Sequence, residues 1–276
     1  MVTVLIAALL ASVPQLDAPK RSESLLPAMD APDAALDAPL DPSRSVYRVR
    51  WGIDLPVSAV GGAVGLARLL LTDQLVRKSC PCDPSTLNAL DRSAVGNHSS
   101  VAGVVGDVTL ITVLVVPPLL DLIDLGPSRE LLEDLMVYAE ALAVDTGVEA
   151  ATVVAVARPR PITYAGNANL IAHGEGYVSF YAGHVSTAFA ALAVTSATLR
   201  LRYGEHVWPW IVTLLVGASV GVDRVLYGWH FPTDAIAGGV AGLAFGIGVP
   251  WLHARGSFVN VHVVPSQGGL ALAGGF

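Results

Sequence analysis

At 276 residues the chain is long enough for one large domain or two small ones. Hydrophobic residues make up 53% and charged residues only 14%, whereas a soluble domain carries nearer a quarter charged, so composition favours a membrane protein over a soluble one. A formal net charge of -7 argues against nucleic acid as a partner.

The first 14 residues hold a short apolar run, Val2 to Val13, which reads as the core of a secretory signal peptide or as an anchor. No Lys or Arg precedes it, and Pro14 and Pro19 crowd the cleavage region. Residues 15–50 are rich in Pro, Ala and Asp, bury little, and are expected to form a flexible tail.

Six apolar stretches follow: Ile53 to Leu75, Val101 to Leu125, Leu131 to Ala157, Val185 to Leu201, Val207 to Val225 and Ala235 to Leu252. Each approaches the ~20 residues a helix needs to span a bilayer, so the expected fold is all-α, a six-helix transmembrane bundle over residues 51–253. The third stretch carries Glu133, Asp134, Glu140, Asp145 and Glu149. Acids at membrane depth face a bundle interior or an interface, so this helix packs against its neighbours or lies tilted at the membrane edge. The competing reading is a soluble bundle with those acids on a solvated face.

Between the first two stretches lies a polar piece with Cys80 and Cys82 around Pro81. Two residues apart is a poor disulfide spacing, and two ligands are too few for a zinc site. Gly238, Gly239, Gly242, Gly246 and Gly248 mark the sixth stretch as one that packs closely on a neighbour. Residues 254–276 are expected to form a loosely attached tail. There is no internal repeat and no glycine-rich nucleotide loop, and neither a cofactor nor a metal is expected.

The junctions between stretches carry the chemistry. Arg158-Pro159-Arg160-Pro161 ends the third, Gly183-His184 opens the fourth, Arg224 ends the fifth, and His230 and Asp234 open the sixth. In an antiparallel bundle these four junctions share one face. Arginine forks suit phosphoryl oxygens, and helix starts present free N–H groups to an anion. His230 and Asp234 stand four residues apart on one helix face. A carboxylate bonded to one ring nitrogen would fix the tautomer and leave the other nitrogen nucleophilic. A second histidine supplies the proton that a leaving alkoxide needs.

These junctions resemble the three signatures of the type 2 phosphatidic acid phosphatases, a superfamily shared with vanadium haloperoxidases. Arg224, His230 and Asp234 match the third signature, Arg158-Pro159-Arg160-Pro161 the first, and Tyr181-Ala182-Gly183-His184 the second. The resemblance implies a phosphohistidine at His230, oriented by Asp234, with His184 protonating the leaving group. It implies phosphate binding by Arg160, Arg224 and the Gly183 backbone, with Arg158 standing in for a lost charge. The implied partners are a bilayer and a lipid or polyprenyl phosphate substrate, at the non-cytoplasmic face of an integral membrane protein of the bacterial inner membrane; oligomeric state is left open. The chain departs from the family pattern where a lysine becomes Val153, a serine Ala182, a proline Tyr181, and a second serine Asp223. The expectation is a phosphatase that is slow or altered in specificity, set against a catalytically impaired scaffold and against a haloperoxidase. Arg48 and Arg50, with Arg200 and Arg202, point to the opposite end as cytoplasmic.

Overall fold

The computed structural model describes residues 45–80, 82–255, 262–266 and 269–273. Residues 1–14 and most of the 15–50 tail lie outside the described residues. Among those described, six helices of nineteen or more residues form the body. They are α1 (Trp51–Leu75), α3 (Ser100–Leu125), α4 (Arg129–Val156), α7 (Gly183–Tyr203), α8 (Trp208–Leu226) and α9 (Pro232–His253). Shorter helices fill the loops: α2 (Ala89–Arg92) before α3, and α5 (Pro161–Tyr164) and α6 (Ala168–Ala172) between α4 and α7. A two-stranded antiparallel hairpin, β1 (His262–Ser266) and β2 (Gly269–Ala273), follows α9, so the chain is not purely helical.

Helices α1, α3, α8 and α9 are long and apolar enough to cross a membrane, and they support an integral membrane protein. The outer faces of α1 and α3 expose Leu66, Leu69, Leu70, Val101, Val104 and Ile123, as lipid contact requires. Helix α4 carries too many acids, and α7 too many small and polar residues, to stand alone in lipid. Both are the inner helices. Glu133, Asp134, Glu140 and Asp145 of α4 are buried, which excludes the solvated-face reading. Each has an interior partner: Asp134 accepts from Arg202 at 2.5 Å, Asp145 from Ser186 at 2.9 Å, and Glu133 from Ser45 at 3.0 Å, while Glu140 lies 3.3 Å from His253.

Close approach of α9 to α7 sets the site's geometry. A Cβ at Gly238, Gly242 or Gly246 would lie 2.6, 2.1 and 2.6 Å from the carbonyl oxygens of Ala182, Ser186 and Ala190. The sequence places these glycines every four residues, so one stripe of α9 lies directly on the α7 backbone. Gly248, in contrast, meets nothing. The core of Val185, Ala188, Phe189, Leu192, Val216 and Val220 joins α7 to α8. The 45–50 segment is not a free tail: Tyr47 is buried and bridges Ala254, and Arg48 N–H donates to the His253 carbonyl at 2.8 Å. Contrary to the spacing argument, Cys80 and Cys82 form a disulfide, with Cα atoms 4.6 Å apart, at the short end of the relaxed range.

Candidate active site

Helix α4 ends at Ala157, which adopts a left-handed conformation (φ 47) and turns the chain into the Arg158–Pro161 loop. There Arg160 N–H donates to the Gly176 carbonyl at 2.8 Å, and Arg160 N-caps α5. Its buried guanidinium donates to the Glu175 and Trp229 carbonyls at 2.7 and 3.1 Å and stacks 4.2 Å over the Trp229 ring. Glu175 Oε2 sits 3.5 Å away at the rim. Burial pulls the pKa of Arg160 down to about 10, leaving it charged at neutral pH.

His230 lies in the turn between α8 and α9. That turn needs Gly228: its φ is +79, and a Cβ there would be 2.1 Å from the Asn97 carbonyl. His230 Nδ1 is 2.8 Å from the Ser179 carbonyl, and Nε2 is 3.3 Å from Arg160 Nη1. A carbonyl only accepts, so Nδ1 carries the proton and the unprotonated Nε2 accepts from Arg160. Burial, then the nearby Arg160 charge, holds this imidazole well below its ordinary range; His184 and Arg224 push the same way. His230 is therefore neutral at pH 7, as a nucleophile must be.

Asp234 does not touch the His230 ring, so the carboxylate-to-imidazole bond expected from the four-residue spacing is not made. The reason is the N-terminal turn of α9. Asp234 Oδ2 folds back to accept from Phe231 N–H at 2.9 Å and from Ser179 Oγ at 2.6 Å, while Oδ1 takes Arg158. The carboxylate thus fixes the Ser179 segment whose carbonyl holds His230. Arg158 is spoken for as well. It bridges Asp234 and Asp91, the latter at 2.8 Å, donates to Thr233 and lies 4.3 Å over the Phe231 ring. Burial opposes its charge but the two carboxylates outweigh that and raise its pKa. Asp91 is held low in turn: burial works upward, but hydrogen bonds from Arg158, Thr233 and Asn88 prevail. The Arg158 guanidinium is thus a structural clamp between α2 and α9.

Arg224, the last cation of α8, is buried against α3. Its Nη2 donates to the Gly103 carbonyl at 2.7 Å and meets Asp107 at 3.0 Å. Gly106 makes room, since a Cβ there would lie 2.5 Å from the guanidinium. The same Asp107 oxygen is 3.3 Å from His184 Nε2. The Arg224 Nε is buried with no hydrogen-bond partner. His184 and Asp107 are the exposed members of the group, with side chains 39% and 55% accessible, and so form the mouth. Gly183 opens α7 behind Ala182, whose methyl cannot cap, so the first N–H groups of α7 remain available to an acceptor. Glu149 lies against Gly183, 2.9 Å from where a Cβ would sit.

Arg160, Arg224, His184 and His230 therefore lie within electrostatic reach of one another, with Asp107 and Glu175 paired to the two arginines. Val153 is fully buried among Val76, Tyr177 and Val178. Sequence reasoning missed Asp107, Ser179, Glu175, Trp229 and Asp91. Asp107 had a signal, an acid alone in an apolar span; the Ser179 and Trp229 carbonyls that hold His230 and Arg160 had none. A surface hollow of about 560 Å³ along Val240, Leu243, Ile247 and Trp251 on the outer face of α9 is apolar and apart from this chemistry.

Residues 134–257 match the family model described as the PAP2 superfamily. Its members are phosphoesterases, which suggests phosphatase-type activity on phosphate esters. No curated protein and no solved structure matches the chain.

Proposed function

We propose that this chain, whose residues 134–257 match the PAP2 superfamily model, hydrolyses a lipid or polyprenyl phosphate through a phosphohistidine. The observation that carries the reading is the orientation of His230. The Nδ1–H is spent on Ser179, and the unprotonated Nε2 faces the buried Arg160 guanidinium at 3.3 Å.

In the proposed reaction, Arg160, Arg224 and the Gly183 N–H hold the phosphoryl oxygens. Nε2 of His230 attacks phosphorus, the bond to the leaving alkoxide breaks, and His184 gives that oxygen its proton. Water then attacks phosphorus, His184 takes the proton, and the P–N bond breaks to restore His230. Asp234 is a positioning residue, acting through Ser179. Asp107 and Glu175 pair with the arginines at rest and must be displaced as the phosphate enters. That competition weakens binding, and it fits a slow enzyme better than the loss of the lysine alone.

The membrane domain takes residues 51–253 in this reading, with all six long helices crossing. An acidic inner helix and a small-residue one are tolerated because four apolar helices shield them. The reaction end lies on the side of the Cys80–Cys82 disulfide. Disulfides persist in oxidising compartments, which supports an outward or periplasmic active site. Arg200, Arg202 and the 48–50 segment lie at the other end, as cytoplasmic positive charge requires.

The test is phosphate release by the purified protein in detergent, on phosphatidate and on undecaprenyl diphosphate, beside His230→Ala. Activity at the level of that variant on both substrates removes the enzyme reading. A second reading, a phosphate-binding scaffold, is favoured by the Asp107 bridge across His184 and Arg224. It predicts orthovanadate binding lost in Arg224→Ala, with no turnover in either protein.

A further inference from the structure

At the far end of the bundle three residues remote in sequence converge. Asp54 stands in the first turn of α1, Glu140 inside α4, and His253 at the last position of α9. Their side chains are all buried, at 1%, 7% and 4% residue exposure. One ligand atom from each lies within 4.8 Å of the others. His253 Nε2 is 3.2 Å from Asp54 Oδ2 and 3.3 Å from Glu140 Oε2.

Hydrogen bonding does not account for this cluster. Glu140 Oε2 and His253 Nε2 are both buried without a hydrogen-bond partner, so their 3.3 Å separation lacks the alignment of a bond. The other ring nitrogen is occupied, Nδ1–H donating to the Val249 carbonyl at 2.9 Å. That leaves Nε2 as the ring nitrogen facing the two carboxylates, the one a metal ion would take. Asp54 Oδ2 is steadied by the Arg50 N–H. Neither Asp54 nor Glu140 pairs with a lysine or arginine among the described residues, so two acids share one imidazole. An unbalanced pair of acids in the interior is costly, and a doubly charged cation would balance it. The distances also fit. Donors about 2.0–2.1 Å from a tetrahedral ion stand roughly 3.3 Å apart.

We propose that Asp54, Glu140 and His253 bind one divalent first-row cation, Zn²⁺ or Mn²⁺, tying α1, α4 and α9 together. One nitrogen and two carboxylate donors suit either ion. The site is remote from the proposed phosphate site: Glu140 lies 16 residues before the end of α4, about 24 Å at the helical rise. It therefore takes no part in phosphoryl transfer. The expectation of no metal rested on local spacing, and Asp54 and His253 stand 199 positions apart in the chain.

The test uses the full chain, freed of any affinity tag, in detergent. It is stripped with EDTA, offered ZnCl₂ or MnCl₂ alone, desalted, and measured for metal by mass spectrometry and for melting midpoint. The expected result is about one equivalent of one ion per chain and a midpoint raised by about 5 °C or more. Glu140→Gln and His253→Gln should cut retention at least tenfold, within the range for lost metal ligands, and Asp83→Asn, an exposed acid elsewhere, should not. Folded wild-type protein, judged by circular dichroism, that retains neither ion overturns the proposal. So does full retention by both glutamine variants. If those variants do not fold, the wild-type stoichiometry decides.

Discussion

Two histidines mark the opposite ends of α9, and both are 4% exposed. Each donates Nδ1–H to a backbone carbonyl, Ser179 for His230 and Val249 for His253. Each is therefore anchored through Nδ1, and the difference lies in what faces Nε2. His230 looks at an arginine, with Arg224 and His184 within electrostatic reach. His253 looks at two carboxylates. The same ring with the same anchor thus suits an anion at one end and a cation at the other. Burial and anchoring make a histidine available, and the sign of its neighbours decides for what.

The comparison breaks most sharply at the rings themselves. His230→Ala should lower turnover at least about 10³-fold, as loss of a covalent nucleophile does, while His253→Gln should leave turnover per folded molecule within about threefold. Equal losses in phosphate-release assays would mean the two ends are not separable. The next largest effect concerns what holds His230. Asp234→Ala strips the partner from a half-buried Arg158 that also grips Asp91. Breaking such a pair should destabilise by about 3 kcal/mol or more, read as a lowered melting midpoint.

A pH series sharpens the contrast further. An ordinary imidazole with pKa 6.5 would lose about tenfold of its neutral form between pH 7 and pH 5.5. His230 is held well below that range by burial, so phosphohistidine trapped from labelled substrate should fall far less than tenfold over the same interval. The stability term has a definite sign. The unfolded ring takes a proton near pH 6.5 and the folded one resists, so His230 costs stability as pH falls below 6.5 and is neutral in effect above it. The smallest expected effect is at the mouth. Asp107→Asn removes a negative charge beside Arg224 and should tighten orthovanadate by roughly three- to tenfold, visible in an inhibition titration.

The sequence exposed some parts of this molecule and hid others, for physical reasons. Apolar runs of bilayer length announced α1, α3, α8 and α9, because lipid contact demands them. The interior acids of α4 were visible as an anomaly that only packing resolves, and the glycines of α9 as a contact face. His184, Arg160, Arg224 and His230 stood out because they occupy helix junctions on one face. What stayed hidden were interactions that use no distinctive side chain. The Ser179 and Val249 carbonyls anchor both rings, and any residue there supplies a carbonyl. The redirection of Asp234 toward Phe231 and Arg158 depends on how α9 begins, which a four-residue spacing does not encode. The Asp54–Glu140–His253 cluster joins the two ends of the domain and had no local pattern to betray it.

The bridge between Tyr47 and Ala254 brings the first and last turns of the bundle side by side, at the end away from the reaction. A fluorescent protein fused at either boundary would report from one and the same compartment. New termini opened in a loop elsewhere, with residues 45 and 255 joined by a short peptide, should yield a permuted chain that keeps the His230 site intact.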